Sequence, residues 1–141
     1  ETGIEMLTWP AHCEVHERFT PQEIRQYRRL HPDVSVIAHP ECPPDVVAEA
    51  DHAGSTAQMI SFIDQTKPQK VLLVTECSMS DNLAALYPQT QFVRPCNLCP
   101  HMKRITLSNI RQALETMQTE VTIPEHLQHP ARMAVERMLA I

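Results

Sequence analysis

The chain lacks any long apolar run. A helix that crosses a bilayer needs about 20 predominantly apolar residues, and the clearest run here, Val71-Leu72-Leu73-Val74, has four. It also lacks a Lys/Arg stripe with interleaved aromatics, and aromatics make up only 4% of its 141 residues. At a net charge of −5, nucleic-acid binding has no support. No signal or transit pattern opens the given sequence, and neither Ser/Thr/Pro-rich linkers nor internal repeats interrupt it. The expectations are therefore no membrane, no nucleic acid and a cytoplasmic location. Five cysteines, at positions 13, 42, 77, 96 and 99, are odd in number and scattered, unlike a secreted disulfide framework. They suit a reducing compartment in which some thiols are kept for chemistry.

What is present reads as globular: 43% hydrophobic and 21% charged residues, in a chain long enough for one ordinary domain and its core. From Asp33 to Val93 short apolar runs alternate with helical patterns. Val34-Ser35-Val36-Ile37-Ala38, Val71 to Thr75 and Gln91-Phe92-Val93 are strand candidates, and Ala50-Asp51-His52-Ala53 is a weak fourth. Continuous β-branched runs are the mark of buried parallel strands. Helices are expected from Pro43-Pro44-Asp45 to about Ala50, after Gly54-Ser55-Thr56, and from Ser78 to Leu86. This alternation predicts an α/β fold, a parallel sheet with right-handed crossovers. Beyond it, Leu107, Ile110, Leu114 and Met117 mark one apolar helix face. Pro130 is expected to open a last helix whose face holds Ala131, Ala134, Val135, Met138 and Leu139.

In such sheets ligands bind beyond the carboxyl ends of the strands. His39 and Glu41 follow the first strand, Glu76 the second, and Cys96 and Cys99 the last. Gly54-Ser55-Thr56 opens a helix whose free N–H groups favour an anion. Each signal alone has a plain reading. Ser and Thr cap helices routinely, His-Pro-Glu is a turn, and one C-x-x-C supplies two ligands at most. Cys42 and Cys77 read as small buried hydrophobes, and His12, His31, His52, His126 and His129 as solvated. Trp9 reads as an aromatic anchor. It is their concurrence on one rim that makes the group a candidate site.

Several segments together resemble the quinolinate synthase family. Trp9-Pro10-Ala11-His12-Cys13-Glu14-Val15-His16-Glu17 is similar to the family's second cluster-cysteine motif. His39-Pro40-Glu41-Cys42-Pro43 and Ala50-Asp51-His52-Ala53-Gly54-Ser55-Thr56 resemble its substrate-binding segments. Thr75-Glu76 and Cys99-Pro100-His101-Met102-Lys103-Arg104-Ile105-Thr106-Leu107 resemble its C-terminal signature.

The resemblance implies three αβα layers around a pseudo-threefold axis. Residues 1–19 would end the second layer, 20–99 form the third, a parallel-sheet three-layer αβα domain, and 100–141 supply two C-terminal helices. It further implies a [4Fe–4S] cluster held by three cysteines, here Cys13 and Cys99. The third would come from N-terminal layers of the same enzyme that this chain lacks, which makes it a fragment inactive alone. The implied reaction condenses iminosuccinate (iminoaspartate) with dihydroxyacetone phosphate to quinolinate, phosphate and water in NAD biosynthesis. L-aspartate oxidase is the implied upstream partner. By the same resemblance His39 and Glu41 are catalytic, and His39, Pro40, Glu41, Ser55 and Thr56 bind substrate. Lys103 adds a nearby charge, His16 stands beside a cluster cysteine, and Cys96 is a spectator. Two other readings compete: a small zinc- or thiol-based binding module using Cys96 and Cys99 with His101, and a catalytically inert α/β domain that only associates with a partner.

Overall fold

The apolar runs form strands because burial on both faces rewards branched and leucine side chains alike. In the computed structural model, which describes Glu5 and residues 9–95, 97–118 and 120–140, four strands build one sheet. They are β1 (Ser35–Ala38), β2 (His52–Ala53), β3 (Lys70–Val74) and β4 (Gln91–Val93), in the order β2-β1-β3-β4. Every pairing is parallel, with Val36 opposite Leu72 and Ala38 opposite Val74. The expected parallel α/β class is what the chain adopts, including the weak strand at His52.

Side chains of a strand alternate between faces, and the core divides accordingly. Val36, Ala38, Leu72 and Val74 join Phe19, Ile24 and Val46 on one face. Ile37, Val71 and Leu73 join Met59, Ile63 and Leu83 on the other. Helices α1 (Pro21–Leu30) and α2 (Pro44–Val47) thus cover the first face, and α3 (Thr56–Thr66) and α4 (Cys77–Leu86) the second. Helix α1 was not anticipated. It begins in a reciprocal capping box, in which the Thr20 hydroxyl accepts from the Glu23 N–H and the Glu23 carboxylate from the Thr20 N–H. Arg25 reaches Glu49 at 2.6 Å and Arg28 reaches Asp51 at 2.9 Å, fastening α1 beside the segment that leads into β2.

The chain falls into two compact units, Glu1–Lys103 and Arg104–Ile141. The second holds α5 (Leu107–Thr116) and α6 (Glu125–Leu139). Two expectations need correction here. Met117 is not on the last turn of α5 but caps it, in the left-handed conformation at φ 49°. Pro130 does not open α6 but lies inside it, with Pro124 as N-cap. Its missing N–H leaves the His126 carbonyl without the usual partner, and the helix continues past it. With only two glycines in the chain, Lys67 does at the end of α3 what Met117 does for α5, at φ 45°. No helix among the described residues is long and apolar enough to cross a membrane.

Candidate functional site

Because all four strands run one way, their carboxyl ends share one rim. The β1 end continues into His39, whose N–H donates to the Val74 carbonyl at 3.1 Å. The β2 end continues into Gly54, whose N–H donates to the Ala38 carbonyl at 3.1 Å. Beyond β3 come Thr75 and Glu76, both buried. A parallel bridge between Glu76 and Asn97 then brings the Cys99 loop alongside. A cavity of about 680 Å³ opens on this rim, lined on its polar side by His16, His39, Glu41, Thr56, Thr75 and Glu76. Ile60, Leu83 and Leu86 contribute an apolar wall.

His16 is the centre of the group. Its Nε2 lies 3.0 Å from the Thr75 hydroxyl, a buried contact that fixes the Cys13–His16 segment to the end of β3. The ring stacks on His39 with centroids 4.5 Å apart and planes 15° apart. Burial, then the neighbouring His39, holds the His16 pKa below its usual value, against the pull of Glu41. Its Nδ1 is 3.1 Å from Glu41 Oε2, a close contact with a carboxylate that draws the His16 pKa upward against burial. On His39, Nδ1 accepts the Glu41 backbone N–H at 3.3 Å, so a neutral His39 carries its proton on Nε2.

Glu76 ties the rim together. As N-cap of α4 its carboxylate accepts the Ser78 N–H at 2.7 Å and also the Cys99 N–H at 3.3 Å. Lys103 donates from Nζ to the Ser78 hydroxyl at 2.9 Å, which brings its charge to the same place. Nearby, His101 lies 3.2 Å from Glu14, which joins the Cys99 loop to the Cys13 loop.

The expected site residues divide. His39, Glu41 and Thr56 line the cavity, while Pro40 is an exposed turn residue outside it. Ser55 is the N-cap of α3, its hydroxyl accepting the Gln58 N–H. Cys13 and Cys99 are half-exposed free thiols. They are two donors of the kind that iron–sulfur groups take, on loops joined by the Glu14–His101 contact. Cys96 lies outside the described residues, and with it half of the proposed two-thiol module. Cys42 is buried as expected, but Cys77 is disulfide-bonded rather than a plain buried hydrophobe. His52 is not solvated; it stacks on Phe62 at 4.7 Å. Trp9 anchors nothing among the described residues and is 85% exposed. The residue underrated from sequence is His16, and the signal for it was its spacing from Cys13, three residues on.

A parallel α/β layer whose rim gathers thiol, imidazole and carboxylate groups around a cavity is an α/β domain with a candidate ligand site beyond its strand ends. Residues 1–140 match the family model described as quinolinate synthetase A protein. Across all 141 residues the chain is 62% identical to quinolinate synthase 2 of Mesorhizobium japonicum and 58% identical to the quinolinate synthase of Xylella fastidiosa. It is 50% identical over 139 residues to that of Caulobacter vibrioides. The chain belongs to the quinolinate synthase family. It spans 44%, 42% and 38% of the length of these relatives respectively.

Proposed function

We propose that this chain is the C-terminal portion of a quinolinate synthase, with residues 1–19 ending one layer, 20–99 forming the next and 100–141 following as helices. In that reading the whole enzyme, cytoplasmic and acting in NAD biosynthesis, condenses iminosuccinate with dihydroxyacetone phosphate to quinolinate, phosphate and water. Cys13 and Cys99 hold two positions of a [4Fe–4S] cluster, and a third thiolate comes from outside these residues. When bound, the cluster supplies a Lewis acid for the dehydration.

The observation that carries the reading is the cavity where His39, Glu41 and Thr56 meet at the rim. The chain's own groups then have distinct work. Glu41 and His39, whose Nδ1 lies 3.7 Å from the Glu41 carboxylate, move protons between substrate carbon and oxygen atoms. Thr56, in the first turn of α3, offers a hydroxyl beside free backbone N–H groups to a carboxylate or phosphate. Lys103 adds positive charge near the same rim, and Ile60, Leu83 and Leu86 limit the water that reaches it.

The test uses the full-length enzyme that contains this segment, purified without oxygen. Cys13→Ser and Cys99→Ser should each abolish the brown iron–sulfur chromophore, and Cys96→Ser should keep it. A Cys99→Ser enzyme that retained its full iron and sulfide content would overturn the cluster assignment. A stable, active cluster reconstituted on the 141-residue chain alone would overturn the fragment assignment.

A further inference from the structure

Glu76 lines the cavity, yet both of its carboxylate oxygens are committed elsewhere. The residue is only 7% exposed, and a buried carboxylate needs hydrogen-bond partners. Oε2 accepts the Ser78 N–H at 2.7 Å. Oε1 accepts the Cys99 N–H at 3.3 Å and the Ser78 hydroxyl at 3.4 Å. One side chain thus serves the first turn of α4 and the loop that carries Cys99. Capping alone does not call for a glutamate, because Ser, Thr, Asn and Asp are the preferred caps. Thr20, Ser55 and Thr106 cap α1, α3 and α5 in that ordinary way. At α4 the longer side chain caps Ser78 and has reach left over, and the reach goes to Cys99.

The Cys99 peptide is held from both sides. Its N–H goes to Glu76, and its carbonyl accepts the Lys103 N–H at 3.1 Å. The Lys103 ammonium then donates to the Ser78 hydroxyl at 2.9 Å, so the circuit closes on the residue that Glu76 caps. Two residues before Cys99, the Asn97 carbonyl accepts the Cys77 N–H at 3.3 Å. None of these contacts uses the Cys99 sulfur, which is left to a ligand. We propose that Glu76 is a positioning residue, whose carboxylate fixes the Cys99 peptide so that Sγ is presented to the iron–sulfur cluster in one orientation.

The physical reason is pre-organisation. A ligand on a loop is imprecise unless groups behind it lock the loop, and such outer groups orient the ligand and tune its binding. An N–H donated to a carboxylate is charge-assisted and about twice as strong as a neutral hydrogen bond. Glu76 can supply it because it stands on rigid ground, between the end of β3 and the start of α4. The proposal rests on the cluster reading for what Cys99 binds, but not for how Cys99 is held.

The experiment uses the full-length enzyme that contains this segment, handled without oxygen, and has two readouts. Amide exchange at Cys99 is measured in the cluster-free form, and cluster loss to an iron chelator is followed by bleaching of the chromophore. Glu76→Asp is the discriminating variant. It keeps the charge and the helix cap but withdraws the carboxylate by one C–C bond, about 1.5 Å, which takes the Cys99 N–H out of reach. The melting temperature should stay within a few degrees of wild type. Exchange at Cys99 should quicken about tenfold or more, as a lost hydrogen bond to a charged group requires, and cluster loss about 10- to 100-fold. If Glu76 only capped α4, Asp would leave both readouts unmoved, and that result would overturn the proposal. Fast exchange at Cys99 in the wild type would overturn it as well. Should Glu76→Asp fail to fold, Glu76→Gln decides in its place, since its single amide oxygen serves only one of the two N–H groups. A cluster that survives Cys99→Ser would overturn the ligand assignment instead, and the exchange readout, which needs no cluster, would still decide for Glu76.

Discussion

Burial, with a smaller push from the neighbouring Cys13, raises the Cys42 thiol, while Cys13 itself is half-exposed. Only the thiolate reacts with alkylating agents. At pH 8 iodoacetamide should label half-exposed Cys13 and Cys99 and leave Cys42 unlabelled until the chain is unfolded, as peptide mass mapping would show. Rapid labelling of Cys42 in the folded chain would contradict its burial. The same shift fixes a sign for stability. An unfolded Cys42 ionises near 9.0 and the folded one at about 12, so between those values the folded chain binds more protons. The contribution is complete below pH 9 and is lost as pH rises through about 12, at up to about 1.4 kcal/mol per pH unit. Denaturant melts from pH 9 upward should show this slope, and Cys42→Ala should flatten it. At Gly54 the constraint is space. A Cβ added there would meet the Gln58 Cβ at 2.7 Å and His52 Nε2 at 3.1 Å. Gly54→Ala should cost about 1–3 kcal/mol by overpacking, and an unchanged melting temperature would sink that account.

Helix α1 shows what an element's ends contribute. It carries Arg25, Arg28 and Arg29, and its apolar side is narrow, with Pro21 and Ile24 buried and Tyr27 packed against the core, so few apolar residues mark it in the sequence. The signal lay instead in Thr20-Pro21-Gln22-Glu23, a cap, a first-turn proline and a returning carboxylate. Thr20→Ala should lower stability by about 1 kcal/mol, a fall in melting temperature of roughly 2–8 °C, and Thr20→Ser should restore most of it. Equal melting of wild type and Thr20→Ala would mean the cap is dispensable. Strands β1 and β3 were legible for the opposite reason. Burial on both faces leaves Val36-Ile37-Ala38 and Val71-Leu72-Leu73-Val74 with no polar interruption. Among site residues, His39, Glu41 and Thr56 were legible because strand ends deliver them to one rim. His16 was not, since its burial depends on Thr75, 59 positions away, a pairing that only the folded sheet creates. Pro130 was misread because proline commonly breaks helices, whereas here α6 continues past one absent hydrogen bond.

At the scale of the whole molecule the two units contribute very differently to the core. Both apolar clusters belong to Glu1–Lys103, while no described residue from Arg104 onward is buried. Leu107, Met117 and Val121 are more than four-fifths exposed, at 86%, 81% and 87%. Burial of apolar surface is the main favourable term in folding, so the sheet unit holds most of the stability. A chain ending at Lys103 should therefore unfold cooperatively and melt within a few degrees of the full 141 residues. The complementary peptide, residues 104–141, has helices of 10 and 15 residues, lengths that are marginal in water without a packed face. By circular dichroism it should be only partly helical. Failure of the shorter chain to fold, or a fall of more than about 8 °C in its melting temperature, would correspond to a loss above roughly 1 kcal/mol. That would mean the last 38 residues (141 − 103) do more than their exposure indicates.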